Sequence, residues 1–207
     1  MFAYFNGLFL GFSLIIALGP QNVFLIKQGA RKNHALLSAI ICFLCDLILI
    51  CASITGLHEL LLHHPMLQVW MMFLGCAFLL FYALKALKSA FSSTKHNEEQ
   101  ALLIHNKTQI ILLALGFSLL NPHAIIDSLV IIGGGSTEYP DQQFNFLLGV
   151  VTASLLWFSA LTFIARYFST FLARTKVWKG VELTSGLLMS SIGIKLGSSC
   201  WRLLASI

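Results

Sequence analysis

ALGPQN (residues 17–22) and SLLNPH (118–123) decide how this chain is read. Both set a proline close to an asparagine, after a small residue and leucines, within an otherwise apolar run. Proline lacks a backbone N–H and clashes with the preceding turn, so a helix kinks or breaks there. In hydrocarbon the carbonyls freed by the break need partners, and a break survives only where it is buried or faces a watery cavity. Two such breaks in corresponding helices of two halves are the pattern of a transport site built at an internal repeat.

Working outward from the two motifs, the apolar runs set the class. Residues 1–26, 60–84, 108–126 and 142–165 contain no Lys, Arg, Asp or Glu. Residues 33–58 carry only Asp46, and residues 180–201 only Glu182 and Lys195. Each run is long enough for a helix across a hydrocarbon core of about 30 Å. Six membrane helices are therefore expected, at about 2–26, 35–58, 66–88, 108–133, 143–166 and 179–202. The polar stretch FSSTKHNEEQALLIHNK (91–107) separates a first three-helix repeat, 1–91, from a second, 108–207, with a cytoplasmic linker over 92–107. Three spans per half force the second half to insert upside down, giving an all-α membrane protein of two inverted repeats, helices 1 and 4 broken at Pro20 and Pro122.

Composition agrees with this. The chain is 57% hydrophobic and 10% charged, far below the roughly 25% charged residues of a soluble domain. The net charge of +5 does not point to nucleic acid, because the positive residues lie in loops. Lys27, Arg31 and Lys32 follow helix 1; Lys85, Lys88, Lys95 and Lys107 follow helix 3; Arg166, Arg174, Lys176 and Lys179 follow helix 5. Loops 2 and 4 carry Glu59, Glu138 and Asp141 instead. Cytoplasmic loops collect Lys and Arg, so loops 1, 3 and 5 are expected inside and both termini outside, in the periplasm. No basic segment precedes Leu8 and the first apolar run is long, so a cleavable signal peptide is not expected. All five cysteines fall within spans, which implies no disulfide framework.

Chemistry concentrates at the breaks and at two acids. Downstream of each break a half-helix starts with free N–H groups, a seat for a carboxylate. Gly19, Pro20, Gln21 and Asn22 surround the first break; Asn121, Pro122 and His123 surround the second. Asp46 lies near the middle of helix 2, where a charge costs roughly 2.5–3.5 kcal/mol on insertion scales. Asp127 sits five residues past Pro122. Acids at such depth normally face the bundle interior, and Ser38, Cys42 and Ser53 share the face of Asp46. Glu182 and Lys195, closer to helix ends, are expected to snorkel. His123 with Asp127, and Cys42 with Cys45 beside Asp46, could also be read as metal ligands, but neither spacing is specific and no metal site is assigned. An intramembrane aspartyl protease would need a glycine-flanked Asp, absent at FLCDLI and AIIDSL. Gly7 and Gly11, Gly149 and Ala153, Gly186 and Ser190, and Gly193 and Gly197 repeat at helix-packing spacing, within the chain or in a homodimer.

GPQNVFLIKQGARK (19–32), FLCDLILICASITG (43–56), FLLFYALKALKSA (78–90) and LLNPHAIIDS (119–128) together resemble the LysE/ArgO family of basic amino-acid exporters over nearly the whole chain. The resemblance implies an exporter of arginine or lysine in the bacterial inner membrane, driven by the proton gradient, with no cofactor and no enzymatic step. The family's motif positions fall on Gly19, Pro20, Gln21, Asn22, Asp46, Asn121, Pro122, His123 and Asp127. Val23 stands where the family has Ala, and Ile125 where an aromatic is frequent, two differences that bear on which amino acid is carried. Asp46 and Asp127 would meet the substrate's two positive groups, and a proton would compete for the same acid. Export of neutral amino acids or of divalent metal is the alternative within the wider superfamily.

Overall fold

The computed structural model describes residues 1–16, 19–32, 34–53, 64–91, 106–120 and 122–206, apart from the side chains of Pro65, Pro122, His123, Ala124, Ile126, Asp127 and Ser206. These residues form α1 (Phe2–Ile15), α2 (Pro20–Arg31), α3 (Ala35–Ser53), α4 (Pro65–Phe91), α5 (Lys107–Leu119), α6 (Pro122–Thr137), a 3-10 turn at Pro140–Gln142, α7 (Gln143–Tyr167), α8 (Ser169–Leu172) and α9 (Thr175–Ser206). No strand occurs among them.

Both expected breaks are present. Helix α1 ends before Pro20, and α2 sets off from it at 79°. Helix α5 ends at Leu119 and α6 begins at Pro122. Proline opens both second halves because the first helical position needs no N–H and suits its fixed φ.

Among the described residues α3, 66–91 and 140–167 are each long and apolar enough to cross a membrane, and the α1–α2 pair makes a fourth crossing if counted as one. Helix α5, of 13 residues, is about 20 Å long and cannot cross alone. Helix α9 is longer than its expected span at both ends, with 32 residues, but Lys176, Lys179, Lys195 and Arg202 interrupt its apolar surface.

The core is apolar, as in a soluble bundle, but here the outer surface is apolar too. On α3, Leu36, Ile40, Leu44 and Ile48 form an exposed stripe, while Ala35, Ser38, Ala39, Cys42 and Cys45 are buried. Lipid solvates large apolar chains as well as a protein core does, so on this helix the small and weakly polar residues can take the inner face. The widest interfaces join α4 to α9 and α1 to α7. A Cβ added at Gly7 would stand 2.0 Å from the Phe146 carbonyl oxygen, and one at Gly149 2.1 Å from that of Tyr4. Gly186, Gly193 and Gly197 meet Leu87, Leu80 and Cys76 of α4 in the same way. Of the two uses these small-residue faces allowed, close contact within the chain occurs.

Candidate functional site

The first break is bolted by its own asparagine. Gly19 is extended (φ −95°, ψ 173°) and no side chain caps the start of α2. Asn22, only 4% exposed, folds back so that Nδ2 donates to the Ile15 carbonyl at the end of α1, 2.8 Å away. Its Oδ1 accepts from the Trp157 indole of α7 at 3.2 Å. A carbonyl stranded by the break thereby gains the partner that an apolar surrounding demands. Asn22 was expected to face a ligand; here its amide holds the bend.

Asp46 faces inward from α3, as its stripe predicts. Ser154 Oγ of α7 donates to Asp46 Oδ2 at 3.1 Å. Gln21, one residue past the first break, lies beside both the Asp46 carboxyl and the Cys42 thiol. Among the described residues its buried Nε2 makes no hydrogen bond of good geometry, nor does the Ser118 hydroxyl, three residues before Asn121 and also beside Cys42. No Lys or Arg pairs with Asp46 among the described residues. A cavity of about 30 Å³, lined by Asp46, Ser128 and Ser154 together with Gly11, Ile132 and Val150, touches the carboxyl. That is room for about two water molecules and not for an amino acid.

The second break delivers less of the expected set into view. Asn121 lies outside the described residues, and so do the side chains of Pro122, His123 and Asp127. Around Asp46 the described residues bring together Gln21, Cys42, Cys45, Ser118 and Ser154 from four helices. No group of three His, Cys, Asp or Glu side chains that could hold a metal is found among the described residues.

Sequence reasoning missed the other acid. Glu182 was expected to snorkel; instead it is 4% exposed and its Oε2 lies 2.8 Å from Lys27 Nζ. The pair joins α2 to α9 across 155 positions of chain, and burial without a cation would be far costlier than snorkelling. Lys195 is exposed, as expected. An aromatic cluster lines the Glu182 cavity through Phe24, Tyr82 and Phe117. Phe117 of α5 packs against Phe24 of α2 (centroids 5.2 Å apart), Phe78 of α4 (4.9 Å) and Tyr82 of α4 (5.2 Å). Ser154 and Trp157 also escaped notice, since one hydroxyl or indole in an apolar helix is ordinarily packing. Their only signal is a position level with Asp46 and the break.

A family model described as LysE type translocator matches residues 12–199. The chain belongs to that family. Known relatives align with this chain almost end to end. Arginine exporter protein ArgO of Klebsiella pneumoniae (strain 342) and that of Escherichia coli (strain K12) are each 36% identical over 195 residues, 93% of this chain and 92% of theirs. The ArgO protein of Enterobacter sp. (strain 638) is 37% identical over the same span. No solved structure matches this translocator. The match covers both breaks, Asp46 and Glu182, so the resemblance carried by GPQN and NPH extends through the whole site.

Proposed function

We propose that this chain exports basic L-amino acids, arginine and lysine, across the bacterial inner membrane in exchange for protons. The observation that carries the reading is Asp46: an inward carboxylate beside a helix break, held by one serine hydroxyl and matched by no described cation. An uncompensated acid at that depth is expensive, so it takes either a proton or a cationic ligand. Competition of the two for one carboxylate produces antiport by linkage. The ArgO relatives support arginine as cargo.

In this reading the chain crosses the membrane six times as two inverted three-helix repeats, with both termini periplasmic. The pairing of helices supports it. Exchanging the halves turns the contact of broken helix 1 with helix 5 (α1 and α2 on α7) into that of broken helix 4 with helix 2 (α5 and α6 on α3), and both occur. The contact of helix 3 with helix 6 (α4 on α9) maps onto itself and also occurs. Asp46 and Asp127 receive the two positive groups of the substrate, while Gln21, Asn121, His123 and the half-helix N-termini at Gly19–Pro20 and Pro122 take its carboxylate. Asn22 positions the first of these N-termini through Ile15. With only about 30 Å³ beside Asp46, loading requires the halves to rock apart.

The test is efflux of radiolabelled arginine and lysine from proteoliposomes, with and without an imposed pH gradient. Gradient-dependent loss of label is expected. Retention of label by correctly inserted protein overturns the reading, and the same vesicles loaded with leucine or a divalent metal then identify the cargo class.

A further inference from the structure

The Lys27–Glu182 pair lines a cavity of about 100 Å³ together with Gln28, Arg31, Tyr82 and Lys85. Three features of this cavity belong together. The carboxylate is buried and already holds an ammonium at 2.8 Å. Gln28, 3% exposed, presents an Oε1 that accepts no hydrogen bond among the described residues. Helices α2 and α9 meet only along a narrow contact, so the ion pair is a principal tie between them.

We propose that Glu182 and Gln28 form a capture subsite for the cationic side chain of a basic amino acid, and that Lys27 occupies it as a tethered substitute while the mouth is closed. The inference rests on the export reading above. A guanidinium or ammonium presents several N–H donors; the subsite offers a carboxylate and a spare carbonyl, both shielded from water. Separating Lys27 from Glu182 without replacement leaves two buried charges unmatched. Separating them while an incoming cation takes over costs far less, so opening of the α2–α9 contact is coupled to the arrival of the right cargo. A neutral amino acid cannot make that exchange, and selection for cations follows at the mouth, ahead of Asp46.

The surrounding charge fits a zwitterion rather than a bare cation. Arg31 lies 5.1 Å over the ring of Trp178, and Lys85 is exposed at the rim. Both repel an isolated cation, but both can receive the α-carboxylate that accompanies the side-chain charge of arginine or lysine. Withdrawal of the Lys27 chain frees further room in the cavity.

Purified full-length protein and three variants test this by thermal unfolding with and without arginine, and by efflux kinetics in proteoliposomes. Lys27→Ala is expected to unfold at a lower temperature than wild type without ligand. Arginine should then raise its midpoint by more degrees than it raises that of wild type, and KM for arginine should fall several-fold at little-changed kcat. Glu182→Gln should abolish the preference for arginine over leucine at the mouth. Gln28→Leu keeps the ion pair and about the same buried volume while removing the amide and its spare acceptor; its KM for arginine should rise about tenfold, the order of one charge-assisted hydrogen bond. An arginine shift in Lys27→Ala no larger than in wild type, or an unmoved KM in Gln28→Leu, reduces the pair to a structural brace and overturns the subsite. Wild-type protein that neither exports arginine nor is stabilised by it overturns the export reading itself, a result separable from the first.

Discussion

Two inward-facing acids in this protein are treated in opposite ways. Glu182 has its own lysine at 2.8 Å and a cavity of about 100 Å³. Asp46 has a serine hydroxyl at 3.1 Å and about 30 Å³. A carboxylate supplied with a cation is stable in either state of a transporter until something displaces that cation. A carboxylate without one must gain a proton or a cation from outside. The first arrangement suits selection and latching; the second suits coupling to a gradient. The two acids thus differ through what the fold sets beside them, not through their own chemistry.

The contrast can be broken most severely at Asp46. Asp46→Asn should reduce arginine efflux by about 100-fold or more, the effect of losing one member of a buried charge pair, while leaving the inserted amount unchanged by immunoblot. Efflux near wild type would show that Asp46 is merely tolerated. Next in size is Ser154→Ala, which strips the carboxylate of its one hydroxyl donor. Loss of a hydrogen bond to a charged group, worth about 1.5–3 kcal/mol, favours the protonated acid. The efflux-versus-pH profile should move upward in pH, and an unshifted profile would detach Ser154 from the coupling step. Smallest is the paired change Cys42→Ala with Cys45→Ala. Arginine efflux should alter less than twofold, since thiols pack there without a required ligand role; a collapse of transport would instead favour a thiolate metal site.

Much of this arrangement was legible in the sequence because its signals are local. A proline within an apolar helix has one steric outcome, and Pro20 and Pro122 each open a helix. Asp46 had to face inward, and its neighbours at helical spacing, Ser38 and Cys42, showed which side that was. Glu182 was misread because its cation lies on another helix 155 residues away. From the sequence an acid near a helix end snorkels at little cost, and only tertiary packing removes that route. Asn22 was legible as a polar residue at a break but not as the bolt of that break. An amide can serve a ligand or a stranded carbonyl equally well, and the choice depends on where Ile15 and Trp157 come to rest. The small-residue motifs announced close helix contact without saying which helix would answer.

The rings around Phe117 carry a mechanical consequence. Phe117 of α5 stacks on Phe24 of α2 and meets Phe78 and Tyr82 of α4 edge-on, and Phe24, Phe117 and Tyr82 also line the Glu182 cavity. Each such ring pair is worth about 0.5–1.5 kcal/mol beyond its buried area. One side chain near the end of α5 thus keys three helices to one another, like the pin of a joint. Any widening of that cavity strains ring contacts on the helix that leads into the second break, two residues from where it stops.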